Sequence, residues 1–223
     1  MPAEGRCPRH YSKKLDRILG FDIPKLEQKL LQRYRAYYKK TDISNNKKHF
    51  ENTQAWIGLH PQVLQTPYSE IYHFLSLLQK FKPHKIVDFG AGYGRVGIVM
   101  NALYPHASFI GYEIVDIRIK EARRMFKLFG LDNCEIIKQN ILDESFVIPS
   151  ASIYCIYDFS FPEDLEIILK KLSALISTER FFIVAKGDSV QTIIKSKFPE
   201  FYANKRFVHG KQWSIFSSFK NNN

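Results

Sequence analysis

The residues best suited to chemistry fall in one stretch, Ile86-Val87-Asp88-Phe89-Gly90-Ala91-Gly92-Tyr93-Gly94, where an apolar run ends in an acid and breaks into alternate glycines. It reads as a buried strand, a tight turn and the start of a helix. Glycine lets the backbone approach a ligand closely and tolerates φ > 0, so the pattern points to a nucleotide-like molecule. Two registers compete. Gly92-x-Gly94-x-x-Gly97 satisfies the dinucleotide fingerprint, with Glu113 about 20 residues on, where a ribose-binding acid belongs. Asp88-x-Gly90-x-Gly92-x-Gly94 instead puts an acid at the strand end. A carboxylate there attracts a cationic ligand and repels a diphosphate, which favours the second register.

The elements that must position these residues alternate. After Pro83, strand-like runs fall near 85–89, 107–112, 134–138, 152–158 and 180–185, with helix-like runs near 94–103, 116–129, 163–176 and 188–197. Such alternation predicts a parallel sheet with helices on both faces. A helix over about 68–81 precedes it, and an irregular stretch from Thr53 to Pro67 reads as a loop able to fold over a ligand. Phe201–Val208 and Gln212–Phe219 read as two strands joined by His209-Gly210-Lys211, too short a link for a parallel crossover, so an antiparallel hairpin is expected. The fold class is therefore α/β, a Rossmann-like, seven-stranded, mostly parallel sheet.

Residues 1–52 are expected to form a basic helical N-terminal extension, and 53–223 the main domain. Leu15, Ile18 and Leu19, then Leu26, Leu30, Leu31 and Tyr34, recur at helical spacing beneath an excess of lysine and arginine. Two readings stay open: a cap whose apolar stripe packs on the main domain, or a docking face for an acidic partner. The chain of 223 residues carries a net charge of +11, which favours nucleic acid, an anionic membrane surface or an acidic protein patch. Further along, Arg95 has a plain reading as a solvated helix-start residue, and Arg118, Lys120, Arg123, Arg124 and Lys127 as the wet face of a helix.

Cys7, Cys134 and Cys155 lack metal-type spacing, as do the histidines, so neither a disulfide framework nor a metal site is expected. No apolar run approaches ~20 residues and the N-terminus lacks the apolar core of a signal peptide. A cytoplasmic location is expected, with another export route or nuclear action left open.

With Asp88-x-Gly90-x-Gly92-x-Gly94 at the first strand and Tyr112-Glu113 closing the second, roughly residues 64–219 resemble class I S-adenosylmethionine-dependent methyltransferases. The resemblance implies that Asp88 faces the cationic amino-acid end of the cofactor and that Glu113 accepts the ribose hydroxyls. It places Gly90, Gly92 and Gly94 in the cofactor turn. Asn140 stands where the family usually has an acid for the adenine amine, and Ile141 where a side chain packs on the ring. The terminal hairpin is the family's addition to a parallel sheet.

Tyr157-Asp158-Phe159-Ser160-Phe161 is similar to the Asn-Phe-x-Phe segment of the non-SET histone-lysine methyltransferases, with Asp158 in place of asparagine. Thr66-Pro67-Tyr68 resembles the threonine-bearing loop that those enzymes and their bacterial relatives fold over the cofactor. Asp158, Phe159 and Phe161 are thus the expected catalytic segment, and a protein acceptor, lysine first, is implied. The competing reading takes Phe159 and Phe161 as core aromatics and Asp158 as the cap of the helix that starts at Pro162. Other functions left open are nucleic-acid methylation and a non-catalytic module that binds the cofactor.

Overall fold

The computed structural model describes residues 8–40, 65–202, 208–210 and 212–219. Its centre is a six-stranded sheet built from β1 (Lys85–Phe89), β2 (Ser108–Glu113), β3 (Cys134–Lys138), β4 (Ile153–Tyr157), β5 (Phe182–Lys186) and β6 (Trp213–Ser217) in the order β3-β2-β1-β4-β5-β6. The first five strands run parallel and β6 lies antiparallel on β5. The order in which strands are added reverses between β1 and β4, which opens a crevice at the carboxyl ends of the strands.

Helices cover both faces because strands buried on both sides must be. Helix α3 (Tyr68–Leu78), α4 (Arg95–Leu103) and α5 (Asp116–Leu128) pack on Ile86, Phe109, Cys155 and Val184. On the other face, α6 (Pro162–Ser173) and α7 (Asp188–Lys197) bury Val87, Phe89, Tyr154 and Ile183. Strand alternation then turns Asp88 toward the α3–α4 side, in line with Ile86.

Two N-terminal helices, α1 (Pro8–Leu19) and α2 (Ile23–Lys40), precede this unit. Their inner side buries Phe21, Ile23 and Leu30, with Leu15, Leu19 and Leu26 partly covered. The segment before Gln65, where the loop was expected, lies outside the described residues.

The C-terminal hairpin is antiparallel as expected, but the start of its first expected strand is helical. Phe201 belongs to a short helix, α8 (Pro199–Tyr202), and residues 203–207 lie outside the described part. Proline fixes a helix-compatible φ at the first turn, and helical spacing brings Phe198 and Phe201 together in the core beside Phe181. What remains of the hairpin is an antiparallel bridge from His209 to Ser214, with the Ile215 N–H donating to the Val208 carbonyl at 3.0 Å. Among the described residues the sheet has six strands, where seven were expected.

Candidate active site

Asp88, one residue before the end of β1, carries a buried carboxyl group whose Oδ1 has no hydrogen-bond partner. Burial, with the Glu113 carboxylate adding repulsion, pushes its pKa up to about 8. An unpaired acid this deep is costly unless a donor or cation meets it. Along β4, Cys155 pairs in register with Asp88, and the Cys155 thiol and Tyr157 phenol are both driven by burial well above their ordinary pKa values. Both are held protonated further above the ordinary range, which leaves Asp88 as the group of the three that a nearby cation can ionise.

The turn after β1 keeps φ positive at Gly90 (+78°) and Gly92 (+56°). A β-carbon at Gly90 would stand 3.0 Å from Cβ of Phe159, and one at Gly92 would stand 3.1 Å from Nε2 of Gln65. Phe159 and Gln65 therefore approach the bare backbone of the turn from β4 and from the α3 side. Gly94 serves a different need. Its missing side chain faces the Phe126 ring at 2.7 Å, so helix packing accounts for it.

Glu113 closes β2 and holds the turn in place. Its Oε2 accepts the Gly92 N–H at 2.8 Å, and Oε1 accepts the N–H groups of Ile114 and Val115, each at 2.9 Å. A carboxylate has about four acceptor sites, and three are filled, which leaves room for about one further donor. After β3, Oδ1 of Asn140 accepts the Leu142 N–H at 3.0 Å, and Ile141 is buried with Tyr112 and Phe146.

Asp158 has a definite structural task. Oδ1 accepts the Val190 N–H at 2.9 Å and Oδ2 the Ser189 N–H at 3.1 Å, so the side chain caps the N-terminus of α7. Gly187 makes room for it, since a β-carbon there would collide with the carboxylate. The helix that follows at Pro162 is bounded instead by Phe161, with Ser160 donating to Asp164. Lys186, at the end of β5, is ion-paired with Glu70 of α3.

Two buried ion pairs beside the turn contradict the solvated readings of Arg95 and Arg118, which are 5% and 6% exposed. Arg95 binds both Asp16 oxygens from α1, donates to the Thr66 carbonyl at 3.1 Å, and lies over the Tyr68 ring. Tyr68 in turn donates to Asp16 at 3.0 Å. Arg118 binds Glu27 of α2 at 2.9 and 3.2 Å, and Tyr93 donates to the same glutamate at 2.8 Å. Thr66 is thereby fixed beside α4 through its backbone. A helix start and an exposed-looking basic stripe gave no local sign of these partners, although two acids within otherwise basic α1 and α2 were visible.

The buried, unpartnered Asp88 oxygen and the bare glycine turn suit a cationic, ribose-bearing ligand. A family model for methyltransferase domains matches residues 80–217, well over half of the chain. The chain belongs to the class I S-adenosylmethionine-dependent methyltransferases. Among solved structures, an RNA methyltransferase from Salinibacter ruber in complex with S-adenosylhomocysteine is 20% identical, covering 69% of this chain and 91% of its own, with a TM-score of 0.50. A proposed O-methyltransferase from Klebsiella pneumoniae is 14% identical over 93% of this chain and 94% of its own, with a TM-score of 0.51. At these identities the likeness is one of fold. No curated protein matches the methyltransferase chain.

Proposed function

We propose that this methyltransferase modifies the side-chain amine of a protein lysine. The carrying observation is Phe159, which follows β4 and whose Cβ comes within 3.0 Å of a β-carbon placed on Gly90. An aromatic segment thus abuts the cofactor turn. S-adenosylmethionine supplies an electrophilic methyl group on a sulfonium, and transfer is an in-line displacement for which alignment gives much of the rate.

Asp88 meets the cofactor's ammonium and gives up its own proton on doing so, because an adjacent cation favours the carboxylate. Glu113 accepts a ribose hydroxyl, the backbone of Gly90 and Gly92 admits the ligand closely, and Asn140 with Ile141 receives the adenine. Phe159 and Phe161 form an apolar wall that desolvates the lysine ammonium, lowers its pKa and raises the neutral, nucleophilic fraction. Asp158, tied to α7 by two amide hydrogen bonds, positions that wall.

Incubation with tritiated methyl donor and fractionated lysate tests the proposal. Label that survives nuclease treatment and is recovered as methyllysine after hydrolysis is expected. Label released by nuclease would overturn the acceptor while leaving methyl transfer intact.

A further inference from the structure

We infer that the outer face of α1 and α2 binds the phosphate backbone of nucleic acid, independently of which atom accepts the methyl group. The two helices carry acids at Asp16 and Glu27, and both are buried in ion pairs with Arg95 and Arg118. Their negative charge is spent inward. Outside, Arg9, Lys14, Arg17, Lys25 and Lys29 are exposed and Lys13 is partly so, with Asp22, at 3.4 Å from Lys25, the only exposed acid in the described stretch from 8 to 33.

Spacing gives this charge a direction. Arg9, Lys13 and Arg17 recur every four residues on α1, and Lys25 and Lys29 do the same on α2. Four residues rise about 6 Å and rotate about 40°, so each set is a gently inclined row of cations along one side of its helix. Rows of this kind suit a polymer with a charge on every repeat unit.

The alternatives fit less well. An interfacial helix inserts its apolar stripe into lipid, but here Leu15, Leu19, Leu26 and Leu30 face the protein, and among the described side chains of residues 8–33 Ile18 and Leu31 are the exposed large apolar ones. A protein partner requires apolar or aromatic anchors at the centre of the patch, and within residues 8–33 the two scattered aliphatic side chains do not supply them. Phosphate contact needs neither.

The test is fluorescence anisotropy with the full chain and a labelled duplex of mixed sequence, titrated between about 50 and 200 mM salt. Five phosphate contacts, from the two rows, give a log-log slope of about −4.5 and an affinity loss of about 500-fold over that range. Changing Arg9, Lys13 and Arg17 together to glutamine is expected to reduce the slope by about 2.7, and Lys25→Gln with Lys29→Gln by about 1.8. Affinity for S-adenosylhomocysteine, measured by calorimetry, is expected to stay at the wild-type value in both, which also reports that they fold. A flat salt dependence of the wild-type chain overturns the inference without any variant. So does an unchanged slope in folded variants, or equal binding to phosphatidylserine vesicles or polyglutamate.

Discussion

At the scale of single residues the site is organised by two aspartates with opposite fates. Asp88 is buried without a donor, and its raised pKa of about 8 makes a signed prediction. Between about pH 4 and pH 8 the unfolded chain releases this proton while the folded chain keeps it. The native state then binds more protons, and stability falls as pH rises. The contribution is whole below the unfolded pKa and lost through the folded one, with a limiting slope of about 1.4 kcal/mol per pH unit. Asp88→Asn removes this group's dependence, so the stability difference between variant and wild type should widen in the variant's favour across that window in urea titrations. The same variant should bind S-adenosylhomocysteine at least tenfold more weakly by calorimetry; unchanged affinity would remove Asp88 from the cofactor site. Asp158, by contrast, satisfies two amides of α7. Its alanine variant should cost about 1–2 kcal/mol of stability, the range of a lost N-terminal cap. If Asp158 also orients the aromatic wall, the turnover of that variant should fall well beyond its loss of cofactor affinity.

At the scale of elements, the glycine turn is fastened from outside the sheet. Asp16 and Arg95 are 79 residues apart in sequence, Glu27 and Arg118 are 91 apart, and each pair is buried. Removing one partner from such a pair strands a charge, so Asp16→Ala and Arg95→Met should each destabilise by about 3–5 kcal/mol. The double variant should cost much less than their sum, a coupling that chemical denaturation of all four proteins measures; simple additivity would mean that the pair does not act as a unit. This fastening explains what the sequence could and could not disclose. Strand and helix periods are local, and β1 and β3 fall where the apolar runs placed them. Asp88 was legible as the acid in an apolar run before the glycine turn, whereas Glu113 and Asn140 were singled out by the family resemblance at the ends of the next two strands. Arg95 and Arg118 were misread because a buried ion pair depends on a partner far away in the chain, and neither window contained that partner. Phe201 was misread for a related reason: an aromatic run suits a strand until Pro199 and the contact with Phe181 favour a helical turn.

At the scale of the whole molecule, α1 and α2 have two sides with separate tasks. The outer side carries the cation rows, while the inner side buries Phe21, Ile23 and Leu30 and covers Tyr93, Met125 and Val115. Burying three such side chains contributes roughly 5–9 kcal/mol at about 1.5–3 kcal/mol each, against a total stability of about 5–15 kcal/mol for an ordinary domain. The inner side is thus of the same order as the stability of the entire fold. Tyr93 and Glu113 both bear on the glycine turn, one through Glu27 and the other through Gly92, so loosening α2 should also disorder the proposed cofactor site. A chain lacking residues 1–40 is therefore expected to lose cooperative unfolding in urea and, with it, measurable affinity for S-adenosylhomocysteine. A removable docking appendage would behave differently: the shortened chain would unfold at the wild-type midpoint and bind the cofactor product normally, failing only toward the acceptor. That outcome would return α1 and α2 to the status of an accessory arm. Loss of both stability and cofactor binding would place them within the core of the enzyme.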